Sequence, residues 1–236
     1  LVKPIASGVY RVNETMRTDL LECKRGEHAS NLGALIAADV AKQLPSAQAF
    51  IADPVVVDEL EPLARFSGHP LFERRSIFHA LNQKAVARSH AKSIMKKYED
   101  LNLIVVHLGG GITVGAHRKG KVIDVNQGLD GDGPFSPERS GTLPVGQLVK
   151  VAFSGIYSQT KMNEMILGKG GMVAYLGTND AYIAERSARD GDEKALQVLQ
   201  AMAYQVSKEI GAMSTVLNGK VDAILITGGI ANSKWF

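Results

Sequence analysis

Between residues 102 and 125 the chain reads NLIVVHLGGGITVGAHRKGKVIDV. Three apolar-rich runs, 102–108, 112–117 and 121–125, are separated only by Gly109-Gly110-Gly111 and by Lys119-Gly120. Connections this short leave no room for a crossover, so the three runs are expected to pair as an antiparallel meander. Lys119-Gly120 is ordinary hairpin chemistry. The triglycine asks for more, because adjacent glycines cost backbone entropy and add nothing to a core. A tight turn explains one or two of them, and a backbone lying close to a bulky anion explains all three.

Around the meander the helical period dominates. Leu32, Leu35, Ile36, Val40 and Leu44 predict an amphipathic helix over 28–44 with that stripe buried. The run 48–57 reads as a strand, broken or edged by Asp53-Pro54, and 58–66 as a short helix. A longer helix is expected over 76–98, with Ile77, Leu81, Ala85, Ala91 and Ile94 on related faces. Beyond the meander, 127–143 is dense in Gly, Pro, Asp and Ser, and loops of that length inside a domain usually carry function. Helices are expected at 145–153, 159–167, 181–189 and 192–217. The last should bury Leu196, Leu199, Ala203, Val206, Ile210, Met213 and Leu217. A buried strand over 221–227 then runs into Gly228-Gly229. The expected class is α/β.

Composition narrows the function. The 236 residues are 45% apolar and 22% charged, with a net charge of +3. No basic stripe interleaved with aromatics points to nucleic acid, and no apolar run approaches membrane-spanning length. Cys23 stands alone, so neither a disulfide framework nor a cysteine zinc site is available, which fits a cytoplasmic setting. The opening LVKPIASGVY, without a methionine, and the stop at NSKWF read as cut ends.

The usual phosphate-loop, dinucleotide, zincin and serine-hydrolase motifs are missing. The sequence instead offers two strand-then-glycine junctions, at Leu108/Gly109 and Thr227/Gly228, where backbone amides can receive an oxyanion. In GPFSPERSG, prolines and glycines constrain Arg139, whose guanidinium fork suits a carboxylate or phosphoryl group. His28, His79 and His107 are each ordinary cap or core residues when taken alone. Beside a glycine cradle and a constrained arginine they fit donors around a charged transition state. Asp53, Asp124, Asp130 and Asp132 are possible carboxylates on the metal side, and Asp53 and Asp124 stand out because they end strands.

SIFHALNQKAVA, VHLGGGITVGAHRKGKVIDVNQGLDGDGPFSPERSGTLP and ITGGIANS together resemble the acetokinase family. GEHASNLG, IADPVVVDELEP and KGGMVAYLGTNDA fit in the same order, and the SPERSG loop is similar to the butyrate-kinase branch. The resemblance implies a ribonuclease-H-like, actin-type ATPase fold, here incomplete at both ends. Residues 1–75 would be the remainder of an N-terminal domain lacking its first strands and phosphate loop. Residues 76–236 would be most of the second, nucleotide-binding domain. It also implies ATP + butyrate ⇌ butyryl phosphate + ADP with Mg²⁺.

In that comparison Arg139 grips the transferred phosphoryl group, His79 donates to it, and Asp53 positions magnesium or its water. His107, Gly109, Gly110 and Gly111 match the phosphate-binding segment. Asp180, Gly228, Gly229 and Asn232 match the nucleoside-binding segments. His28 matches a further active-site histidine, which with Phe78 is assigned to the substrate pocket. Phe78 and the valines at 55–57 would wall the short acyl chain. Tyr182 stands where related kinases often place an arginine. The implied partners are a short-chain carboxylate, its acyl phosphate and a second copy of the chain, with no nucleic acid or membrane. The physics is compatible: a carboxylate nucleophile is already ionised, and a loose phosphoryl transition state needs positioning and charge stabilisation more than a strong base. Kinases for acetate, propionate or isobutyrate, and a non-catalytic actin-like nucleotide module, are the alternatives.

Overall fold

Leu103, Ile104 and Val105, all fully buried, show why the sheet sits at the centre of the molecule. A strand's side chains alternate between faces, and in β3 (Asn102–Leu108) both faces are covered. The computed structural model describes residues 1–24 and 29–233. Before β3 come β1 (Val9–Arg11), α1 (Glu14–Leu21), α2 (Ser30–Lys42), β2 (Phe50–Ala52) and α3 (Ala80–Ser93). After it come β4 (Ile112–Arg118), β5 (Lys121–Val125), α4 (Val145–Ala152), α5 (Gln159–Ile166), α6 (Met172–Leu176), α7 (Ala181–Arg189), α8 (Glu193–Val216) and β6 (Ala223–Thr227).

The main sheet has the order β5-β4-β3-β6. β3, β4 and β5 form the expected antiparallel meander, and β6 joins β3 in parallel. Ile104, Val106 and Leu108 of β3, with Ile112, Val114 and Ala116 of β4, pack against Val198, Leu199, Met202 and Val206 of α8. Leu103 and Val105 face the other way, onto Ala87 and Ala91 of α3. A separate two-stranded sheet, β1 with β2, carries the first part of the chain. The class is therefore α/β, as expected.

Several elements differ from the sequence reading. In α2 the buried residues are Asn31, Ala34 and Ala38, while Leu32, Ile36, Val40 and Leu44 are exposed. The small-residue face allows close approach, and it, rather than the large-residue stripe, meets the rest of the molecule. The strand expected over 48–57 shrinks to three residues, and the helix over 58–66 to a 3-10 turn at Pro62–Arg65. α3 starts at Ala80, and its Leu81 and Ile94 are exposed while Ala80, Gln83, Lys84, Ala87 and Ala91 are buried. β6 is not buried throughout: Ile224 and Ile226 are 49% and 57% exposed. β1 and α6 went unread because they are too short for a period to show, and α1 because it buries only Leu20 and carries no apolar stripe.

Candidate active site

The segment before α3 is tied into the molecule from two sides. Ser76 Oγ donates to the Val57 carbonyl (2.6 Å) and the Phe78 amide to that of Val55 (3.1 Å). The Gly128 amide donates to the Ile77 carbonyl (2.8 Å), bringing the glycine-rich loop against the same segment. His79 follows at the N-cap position of α3, rather than on the helix's apolar side. Its Nδ1 lies 2.8 Å from Thr113 Oγ1, and its ring stacks on His107, with centroids 3.7 Å apart and planes 11° from parallel. His107 Nδ1 donates to Asn82 Oδ1 (2.8 Å). Burial, and then the nearby charge of Arg139, hold the His107 pKa below its ordinary value, which favours a neutral ring.

Arg139 reaches this pair from the loop over 127–143. Ser136 Oγ (2.6 Å) and the Glu138 amide (3.3 Å) both donate to the Gly110 carbonyl, fastening the SPERSG loop to the triglycine. None of the three glycines has a positive φ, so space rather than backbone freedom explains them. A Cβ at Gly111 would collide with the Arg139 guanidinium, and one at Gly109 would come within 2.9 Å of His107 Nε2. The Gly109 amide is not bare, since it donates to the Gly111 carbonyl across the turn (3.1 Å).

Arg139 donates from one terminal nitrogen to the Gly128 carbonyl. Its Nε is buried without a hydrogen-bond partner, and no carboxylate among the described residues pairs with it. Burial lowers its pKa, opposed by the charge of Glu138. A half-buried guanidinium with an unmet Nε–H is suited to receive an anion.

Three spaces border these residues, two of them sharing His79 and the third lined by Gly109 and Gly110. An apolar hollow of ≈ 670 Å³ is lined by Ile51, Ala52, Val55, Val56, Leu81 and Ala85, with Asp53 and His79 at its wall. A gap of ≈ 30 Å³ joins His79 to Arg139, with Val55 and Phe78 beside them. Phe78 is otherwise core, packed with Val57, Leu60 and Ala80. A cleft of ≈ 590 Å³ opens beyond Gly109 and Gly110 and is lined by Asp180, Tyr182, Glu185, Gly229 and Asn232. Asp180 also caps α7, accepting from the Tyr182 amide (2.9 Å). Gly228 does not line the cleft; it packs against the Leu108 backbone, where a Cβ could not fit. His28 lies outside the described residues.

Asp53 does not fit a direct metal ligand as placed. One oxygen accepts from Ser7 Oγ (2.5 Å) and the Gly8 amide (2.9 Å), and the other pairs with Arg88 (2.8 Å). Burial alone would raise its pKa, but these hydrogen bonds and the Arg88 charge hold it below the usual carboxylate range. Each oxygen already has a partner, and the cation beside it opposes a second one. Asp124 and Asp132 both turn to Arg74, at 3.0 and 3.6 Å. No group of three or more His, Cys, Asp or Glu among the described residues could hold a metal ion.

The model of the acetokinase family matches residues 67–235, well over half of the chain. The chain belongs to the acetokinase family. Three solved structures share its fold. Acetate kinase from Porphyromonas gingivalis matches with a TM-score of 0.82 at 21% identity, covering 97% of this chain and 60% of that one. A propionate kinase from Francisella tularensis matches with a TM-score of 0.82 at 21% identity, over 98% and 62%. Acetate kinase from Entamoeba histolytica matches with a TM-score of 0.79 at 18% identity, over 97% and 61%. The chain thus spans 60–62% of the length of these structures, and its fold is the actin-like ATPase fold of acetate kinases.

Within this acetokinase-family site, the sequence reading passed over Asn82, Gln83 and Thr113. Their signal was present. Asn82 and Gln83 lie three and four residues after His79, so one turn of α3 carries them to the same side. Thr113 alternates with His117 on one face of β4.

Proposed function

We propose that this chain carries the transfer centre of a butyrate kinase, which moves the γ-phosphoryl group of ATP to the carboxylate of butyrate and releases ADP, reversibly. A carboxylate oxygen forms the new P–O bond as the bond to the β-phosphate oxygen breaks, so no proton has to be removed from the nucleophile. The acyl chain occupies the apolar hollow, and the nucleotide lies in the cleft between Asp180 and Gly229-Asn232. Arg139, His79 and the Gly109–Gly111 backbone meet the phosphoryl group between them. Residues 1–75 belong to the acceptor side and 76–236 to the nucleotide side. Mg²⁺ is expected from the family, but Asp53 as placed offers it no free position, and no step is assigned to it. Association with a second copy completes the proposal.

One observation carries this reading: His79 and the half-buried Arg139, whose Nε–H is unmet, line one small gap that adjoins the apolar hollow at Val55 and His79. A nucleotide-binding module without chemistry would not need that pair. In the full-length protein, Arg139→Ala should lower kcat on the order of 10²–10³-fold while ATP binding by calorimetry survives. Most of the activity surviving would refute the assignment. The hollow, ≈ 670 Å³, leaves room for propionate or isobutyrate, and one methylene changes preference by only about 1–3 kcal/mol. Acyl-phosphate formation across a chain-length series decides the acid. Equal kcat/KM for acetate and butyrate would remove the butyrate label and leave the kinase.

A further inference from the structure

Behind His79 a run of buried polar groups crosses the interface between α3 and the sheet. Thr113 and His117 lie on the same face of β4, two strand positions either side of Gly115. Gln83 of α3 projects between them. A Cβ at Gly115 would come within 2.5 Å of Gln83 Oε1, so the missing side chain makes room for the amide. Gln83 Nε2 is 2.9 Å from Thr113 Oγ1, and Gln83 Oε1 is 2.9 Å from His117 Nε2. The far ring nitrogen of His117 is 2.6 Å from the Tyr98 hydroxyl. Gln83, Thr113 and His117 are wholly buried, and Tyr98 nearly so.

One backbone group fixes the orientation of the Gln83 amide, from which the directions along this run are argued. The Thr113 carbonyl, which can only accept, lies 3.1 Å from Gln83 Nε2. The amide nitrogen of Gln83 therefore faces Thr113, and its oxygen faces His117. The Thr113 hydroxyl accepts from Gln83 and has its own proton left to donate to His79 Nδ1. His117 must donate from Nε2 to the Gln83 oxygen, and its Nδ1 then accepts from Tyr98. Burial, and next the charges of Lys84 and Arg88, lower the His117 pKa to about 3, in keeping with a neutral ring that has one donor and one acceptor.

We propose that Tyr98, His117, Gln83 and Thr113 form a one-way hydrogen-bond chain that holds neutral His79 as its Nε2–H tautomer, making Gln83 and Thr113 positioning residues for phosphoryl transfer. The second ring nitrogen of a histidine is set by the bond the first one makes. With Nδ1 accepting, the proton of the neutral ring sits on Nε2. The catalytic part of this inference rests on the role proposed for His79; the tautomer does not.

The test uses the full-length protein with ¹⁵N-labelled histidine and reads each ring's protonated nitrogen by NMR, alongside kinetics. Wild type should show His79 protonated on Nε2 and His117 on Nε2. Thr113→Val, close in shape, should remove the single His79 tautomer. It should also lower kcat on the order of 10–100-fold, below the ~10⁴ that a wrong tautomer costs in a serine-protease triad, with KM for ATP and for the acid changed less than about threefold. Thr113→Ser should restore both readouts. In a His79→Asn background, Thr113→Val should cost nothing more, because its effect passes through the imidazole. His79 protonated on Nδ1 in wild type overturns the proposal even if the valine variant fails to fold. So does a Thr113→Val enzyme with unchanged kcat, or one whose loss persists without His79. A wild type inert toward every carboxylate would instead defeat the kinase reading, and the NMR result would still decide the hydrogen-bond chain.

Discussion

Arg139 can lie against the β3–β4 turn only because Gly111 has no side chain there. Gly110 is different, since a Cβ would meet only the flexible Glu138 carboxylate, at 3.4 Å. Gly111→Ala should therefore displace the guanidinium and lower kcat on the order of 10²-fold, as losing an oxyanion donor does, whereas Gly110→Ala should be much milder. Steady-state kinetics on both variants checks the contrast, and equal losses would show that the guanidinium is not what Gly111 accommodates. At this scale the sequence was informative where chemistry is rare. A triglycine after a buried strand, an arginine among prolines and a histidine beside Phe78 were all visible. Thr113 and Gln83 were not singled out, because a threonine in a strand and a glutamine in a helix are ordinary until the register places them together. The carboxylate of Asp53 was legible as a residue of interest, but its pairing with Ser7, Gly8 and Arg88 arises from contacts far apart in sequence.

The α3–sheet interface is the element on which the site stands, and its polar filling makes it sensitive to acid. Lys84 is buried there, paired with Glu59 at 2.7 Å and bonded to the Gly120 carbonyl at 3.1 Å. His117 is neutral in the folded state, its pKa lowered from 6.5 to about 3. Because the folded pKa lies below the unfolded one, its stabilising contribution is whole above pH 6.5 and is lost as pH falls toward 3, by at most about 1.4 kcal/mol per pH unit. Urea unfolding at pH 7 and pH 5 should show a larger loss for wild type than for His117→Gln, which cannot titrate; identical losses would contradict a buried neutral imidazole. The meander was legible at this scale because its turns are two and three residues long and leave one pairing possible. The helical stripe of α2 misled because large apolar residues do not say which face is covered. The molecule buries Ala34 and Ala38 and exposes Ile36 and Val40.

At the scale of the whole molecule, the sheet divides the work. One face of β3 and β4 packs on α8 and makes the core, while the other carries His107, Thr113 and His117 toward α3. The loop over 127–143 crosses the end of the sheet and brings Arg139 to the same place, and β6 ends beside the cleft at Gly229. Apart from β1, α1 and α6, the order of elements could be read from the sequence, but the small gap shared by His79 and Arg139 could not, since periodicity carries no distances. Exposed apolar residues on α2, α4 and β6, among them Ile36, Val149 and Ile226, mark faces that the described residues leave uncovered. The most direct measurement is a crystal structure of the full-length protein with ADP, butyrate and a planar phosphoryl mimic such as aluminium fluoride. The mimic should lie within hydrogen-bond distance of the Arg139 guanidinium and His79 Nε2, against the Gly109–Gly111 backbone, with butyrate in the apolar hollow. A mimic bound elsewhere, with Arg139 still turned to the Gly128 carbonyl, would contradict the convergence of these groups on one phosphoryl unit.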